Sequence, residues 1–207
     1  MLKQKDFHSG KLFFLLILFF TFLRLATLLT AVESVSDLEE LYRGTIAKEL
    51  IDGLKAPFWD YQADDYSGGS LVVGFLAAPF FRLMGPSLFA LKLVPFFFSF
   101  GTLVLLYFFL KRHFNDSSAI LSCCLFILSP PAFTQISLTA MGSHAESLLF
   151  SVGILFCFYE FLYGNKHRTF FLVFFGFISG IAFSFTYIVS ITILSCLASW
   201  FFFAWRS

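Results

Sequence analysis

Six apolar runs of about 20 residues, at 12–32, 88–110, 118–136, 147–163, 170–187 and 188–205, dominate this sequence. At 1.5 Å rise per residue, such a run matches the roughly 30 Å hydrocarbon core of a bilayer. Backbone polar groups in lipid must be satisfied within the segment, so runs of this kind fold as helices. The composition agrees, with 58% hydrophobic and 13% charged residues, 34 phenylalanines and a mean hydropathy of +0.84. A soluble domain carries about twice that charge. The net charge of +1 offers no basic surface for nucleic acid, so the bilayer is the expected partner. The four cysteines lie inside apolar runs without zinc-type spacing and read as small hydrophobes.

The first run follows Lys3, Lys5 and Lys11. It is longer than a signal-peptide core and lacks an Ala-x-Ala-like cleavage site, so it reads as a span. A further run at 70–84 is short and interrupted by Pro79 and Arg82. If that run does not cross, the internal basic pairs Lys111–Arg112 and Lys166–Arg168 fall on the side of the N-terminus, as the positive-inside rule requires. If it crosses, both land outside. The expected fold is therefore an all-α polytopic membrane protein of about six spans, with residues 1–207 forming one transmembrane module. A short re-entrant segment and both termini in the cytoplasm complete it, and the expected setting is a bacterial inner membrane.

This topology makes 33–87 the first external loop. It holds nine of the 13 acids: Glu33, Asp37, Glu39, Glu40, Glu49, Asp52, Asp60, Asp64 and Asp65. Any chemistry is expected on that outer face. Ser36-Asp37-Leu38-Glu39 reads as a capping box, and Leu38, Leu41, Tyr42, Ile46, Leu50, Ile51 and Leu54 recur at helical spacing around a stop at Gly53. The pattern predicts an amphipathic helix with its apolar stripe in the interface and Glu39, Glu40 and Arg43 on or beside its polar face. Glu39 has two readings, a cap paired with Arg43 or a working carboxylate. The stretch 55–70, with Trp59, Tyr61 and Tyr66, suits a wet interfacial loop in which Asp64 and Asp65 form a solvated turn or, alternatively, contact a sugar or a divalent ion.

Two cations sit within spans near their outer ends, Arg24 and Lys92. Such charges are costly unless partnered or snorkelling, and both are candidates for an anionic lipid phosphate. The second external loop, 137–146, contains His144 and ends at Glu146, which heads an apolar run where a carboxylate is favoured by the helix dipole. No HExxH, GxSxG, Walker or zinc motif occurs, and no internal repeat suggests a transporter.

The order of these features resembles the GT-C superfamily of membrane glycosyltransferases, in the branch of protein O-mannosyltransferases and aminoarabinose transferases. The resemblance rests on Arg24 in the first span, Glu39-Glu40-Leu41-Tyr42 opening the external helix and Leu83-Met84-Gly85-Pro86 running through Lys92 to Pro95. Lys111-Arg112 after the second span and Glu146 before the fourth complete it. It implies transfer of a sugar from a polyprenyl-phosphate-linked donor to a glycan, lipid or protein acceptor on the outer face, without a cofactor. By the same resemblance Glu39 is the general base of the acidic pair Glu39–Glu40, Glu146 orients a substrate, and Arg24 and Lys92 hold the donor phosphate. Arg43 and His144 join them as substrate-binding candidates. The chain departs from that branch in having Glu39 for an aspartate and Ser67-Gly68-Gly69-Ser70 for a His-Pro-Pro or Lys-Pro-Pro stretch. Members of the branch continue for further spans. The alternative expectation is accordingly a fragment or non-catalytic membrane protein that keeps a lipid-phosphate site.

In a chain freed of its native cysteines, Gln62→Cys is expected to react with a membrane-impermeant thiol reagent from outside, and Phe114→Cys only after permeabilisation. Labelling of both from one side would overturn the six-span topology.

Overall fold

A computed structural model describes residues 2–32, 37–54, 68–164 and 167–206, with side chains from Ser9 to Phe202. Residues 33–36 and 55–67, which carry the capping serine, Trp59 and the Asp64–Asp65 turn, lie outside the described residues. The described chain is helical: α1 (Leu2–Ala31), α2 (Leu38–Ile51), α3 (Gly69–Met84), α4 (Leu88–His113), α5 (Asp116–Ile127), α6 (Pro131–Ile136), α7 (Ser147–Tyr163), α8 (Arg168–Phe185) and α9 (Ser190–Arg206). Three of its helical segments, Ser9–Ala31, Leu88–His113 and Arg168–Phe185, are long and apolar enough to cross a membrane, and several shorter apolar helices accompany them. The protein is an integral membrane protein of the polytopic helical class.

Side-chain contacts give the direction of each long helix. Phe13 stacks on Tyr107 with ring centroids 3.6 Å apart, while Phe20 meets Phe96, so α1 and α4 run antiparallel. In α7, Phe150 touches Phe98 and Tyr159 touches Phe109, so α4 and α7 run parallel. The pair Phe158–Phe175 and the pair Phe150–Phe185 turn α8 back along α7. Ser151 bonds Thr192 at 3.2 Å, and Cys196 packs in one cluster with Ile154 and Phe158, which lays α9 parallel to α7.

These directions gather α2, the start of α4, the 137–146 loop and the end of α8 at one end of the bundle. Both ends of α3 are there too. Its first turn meets the far end of α8, where the Gly68 N–H donates to the Ser184 carbonyl at 2.9 Å, and its last turn reaches α4 through only Gly85, Pro86 and Ser87. The expected re-entrant or interfacial segment is thus a 16-residue helix that begins and ends on one side. Gly69 and Gly142 touch backbone to backbone, and a Cβ on either would overlap the other. Gly142 also has φ +73°, a conformation that suits glycine.

One expected span is interrupted. The run 118–136 is not one helix: α5 ends at Ile127 and α6 restarts at Pro131. Pro130 and Pro131 explain the break, because a proline lacks the N–H that a helix interior needs and pushes its predecessor out of the α region. The cap of α2 also differs from the expected box, since Asp37 is the N-cap and its carboxylate accepts the Glu39 N–H at 2.9 Å.

Candidate functional site

The centre of the crowded end is an ion pair removed from solvent. Lys92 Nζ donates to Glu40 Oε2 at 2.6 Å, with both side chains 0% exposed. Glu40 Oε1 accepts the Ala140 N–H at 2.8 Å, and Lys92 also reaches the Leu138 carbonyl at 3.5 Å. Burying two charges costs several kcal/mol per ion unless the pair is close and fully hydrogen-bonded. Here both carboxylate oxygens are engaged, so one pair ties α2, α4 and the second loop together. The sequence pattern placed Glu40 on or beside the polar face of α2. It points inward instead, because a basic partner and a backbone donor wait there.

Arg43 follows one turn later and also turns inward, against the same expectation. Its side chain is 4% exposed, against 58% for that of Glu39. Nε donates to the Met141 carbonyl at 3.2 Å, Nη1 to the Glu39 carbonyl at 2.6 Å and Nη2 to Glu39 Oε2 at 3.4 Å. A guanidinium offers a rigid fork of donors, which allows one side chain to hold the backbone and carboxylate of Glu39 and the second loop at once. Glu39 is therefore the acid of the pair that stays open to solvent.

Glu146 is fully buried at the head of α7. It is the N-cap of that helix, where the dipole favours a carboxylate, but its side chain makes no capping hydrogen bond. It turns back so that Oε1 accepts the Gly142 N–H at 3.1 Å, while Oε2 has no hydrogen-bond partner. Burial pushes this carboxyl above the usual range; the Gly142 N–H and the charge of Arg43 pull partly the other way. His144 is exposed and pairs through Nδ1 with Ser143 Oγ at 2.7 Å.

Arg24 is buried along the α1–α5 seam, where Nη2 donates to Ser129 Oγ at 3.3 Å and the guanidinium lies 5.5 Å from the Phe20 ring centroid. Its Nε has no hydrogen-bond partner, and among the described residues no carboxylate pairs with it. Glu39, Glu40, Arg43, Lys92 and Glu146 therefore converge around residues 138–142, with His144 at the rim and Arg24 to one side. Among the described residues no group of three or more His, Cys, Asp or Glu side chains could hold a metal ion.

Sequence reasoning missed an acid at the opposite end. Glu160, buried in α7, is paired with Arg112 of α4 through Nη2 at 2.8 Å, and His113 Nε2 lies 3.1 Å from its Oε1. The signal was available, since a lone carboxylate near the end of an apolar run demands a partner and Lys111-Arg112 stood at the matching depth.

Comparison with known proteins gives a family match. The family model described as dolichyl-phosphate-mannose-protein mannosyltransferase covers residues 69–207, from the start of α3 onward. It includes Lys92, His144 and Glu146 and leaves Arg24, Glu39, Glu40 and Arg43 before its start. No curated protein and no solved structure matches the chain.

Two outcomes follow from the buried charges. Lys92→Met strands Glu40 and is expected to cost about 3–5 kcal/mol of stability, read by denaturant unfolding in detergent. Adding Glu40→Gln, whose carbonyl can still accept from Ala140, should recover most of it; a single-variant loss below about 1 kcal/mol would show the pair to be dispensable. For Glu146 the folded state holds its proton more tightly than the unfolded state does. Its contribution is complete below the ordinary value of 4.5 and is lost as pH rises through the folded value. The thermal midpoint of the wild type should accordingly fall relative to Glu146→Gln as pH is raised from about 4.5; parallel profiles would refute this.

Proposed function

Because this chain belongs to the dolichyl-phosphate-mannose-protein mannosyltransferase family, and so to the membrane glycosyltransferases of mannosyltransferase type, we propose that it takes its sugar from a polyprenyl-phosphate donor. The acceptor is a hydroxyl of a cell-envelope glycan, lipid or protein, and transfer occurs at the end of the bundle formed by α2, α3 and the 137–146 loop. In this reading α1, α4, α5 with α6, α7, α8 and α9 cross the membrane in alternating directions. That end faces outward and both termini are cytoplasmic, as in a bacterial inner-membrane protein.

The observation that carries the reading is the unequal placement of the two adjacent acids. A general base must reach the proton it removes. Glu40, enclosed and bonded through both oxygens, serves as the brace, whereas Glu39 is open and is held by Arg43. The acceptor oxygen attacks the anomeric carbon and gives its proton to the Glu39 carboxylate. The bond from that carbon to the phosphate oxygen breaks, and polyprenyl phosphate leaves with the electron pair. Stabilising that charge calls for a cation already in place. Lys92 is committed to Glu40, so Arg24, buried without a carboxylate partner among the described residues, is the better candidate. Glu146 and Arg43 position the loop and the base rather than touching the reacting atoms, and His144 at the rim is placed to meet the acceptor.

Transfer of radiolabelled sugar from polyprenyl-phosphate donors to membrane extract tests this. Glu39→Gln should reduce transfer about 10²–10⁴-fold, the usual contribution of a general base, while leaving the unfolding midpoint in place. Glu40→Gln should lower both. Transfer unaffected by Glu39→Gln would remove the base assignment, and no transfer by the wild type would favour a non-catalytic lipid-phosphate-binding protein.

A further inference from the structure

At the end of the bundle opposite Glu39, a groove of about 640 Å³ opens between α1, α4 and α7. Its walls divide by polarity. The apolar part is Phe13, Phe108 and Phe156, and the polar part is the Tyr107 hydroxyl with Lys111 and Arg112. Tyr107 fixes the boundary: its ring stacks on Phe13, its hydroxyl bonds Ser9 Oγ at 2.9 Å, and Lys111 Nζ lies 3.5 Å from that hydroxyl. Gly10 lines the α1 wall with open space where a side chain would stand.

Both cations keep part of their side chains in contact with solvent. Lys111 lies 3.7 Å from Asp116 Oδ1 with each side chain 30% exposed, a distance at which screened pairs contribute little. Arg112 reaches the buried Glu160 yet leaves 61% of its own side chain exposed. Lys11, one residue beyond Gly10, is also exposed. An apolar slot between transmembrane helices, capped on one side by accessible cations, matches an amphiphile with an anionic head and hydrocarbon tails.

We propose that this groove binds an anionic phospholipid from the adjacent leaflet, with its phosphate at Lys111 and Arg112 and an acyl chain along Phe13, Phe108 and Phe156. The site is independent of the sugar-transfer reading, since it uses none of the same residues. Arg112 also neutralises Glu160, so its removal would confound folding with binding. Lys111 and Gly10 are the cleaner handles. Lys111→Gln removes a cation, and Gly10→Leu adds a side chain to the groove wall, at a position where a Cβ meets no atom within 4 Å, with a gain in helix propensity.

The test uses the full chain in vesicles of phosphatidylcholine and phosphatidylglycerol, with Phe108→Trp as reporter. Quenching by brominated phosphatidylglycerol is compared with that by brominated phosphatidylcholine, after subtraction of the parent protein's native tryptophan signal. The anionic lipid should reach half-quenching at about fivefold lower mole fraction per contributing cation. Lys111→Gln should cut that preference, and Gly10→Leu should abolish it while leaving the unfolding midpoint unchanged or higher. Equal quenching by both lipids would overturn the site. A preference that survives Gly10→Leu would place the lipid around the basic collar instead of in the groove, and would equally overturn it.

Discussion

The pair between Glu40 and Lys92 is the contact on which the outer end of this bundle depends. Its partners are 52 residues apart, and the carboxylate is also bonded to the backbone of Ala140, 100 residues away. Three separate chain segments therefore share one desolvated contact. A close, fully bonded ion pair offsets its desolvation, and losing either member leaves a charge that the interior cannot solvate. With α2 locked in this rotation, Arg43 comes to lie beside Met141, and Glu39, one residue before Glu40, is turned about 100° away toward solvent.

Much of the fold could be read from the sequence because the bilayer leaves few options. Apolar runs of spanning length, short basic connectors and an interrupted 70–84 segment suffice to expect antiparallel neighbours and a helix that starts and ends on one side. The break between α5 and α6 was also legible, for Pro130-Pro131 sits inside the run treated as one span. Which acid of Glu39-Glu40 turns inward was not. Of the stripe expected to rest in the membrane interface, Leu38, Leu41, Tyr42 and Leu54 are exposed on the protein, whereas Ile46 is buried against it. The face that is buried carries Glu40, Arg43, Ile46 and Ala47. Apolar periodicity does not report that face, because its partners include a lysine and backbone groups from distant segments.

The close passage of Gly69 against Gly142 shows how the second loop is brought within reach of α2. Small residues let two backbones approach where any side chain would hold them apart. The loop then presents the Ala140 N–H to Glu40, the Met141 carbonyl to Arg43 and the Gly142 N–H to Glu146. Consecutive backbone groups thus serve three ionisable side chains. Arg43 stands between the two outer carboxylates, bonded to Glu39 and acting electrostatically on Glu146.

A base in a transfer reaction has two opposed needs: it must be accessible to the acceptor and yet be held in one geometry. An exposed glutamate on a surface helix meets the first need and ordinarily fails the second, because its rotamers are free. Arg43 supplies the restraint without covering the carboxylate. Its guanidinium is nearly buried and is fixed at one edge by Met141, so the donors that reach Glu39 come from a side chain with little freedom of its own. Arg43 in turn owes its position to the rotation of α2 set by Glu40 and Lys92. In the assignment proposed above, the enclosed Glu40 sets the rotation of α2 and the open Glu39 is the acid that an acceptor can reach.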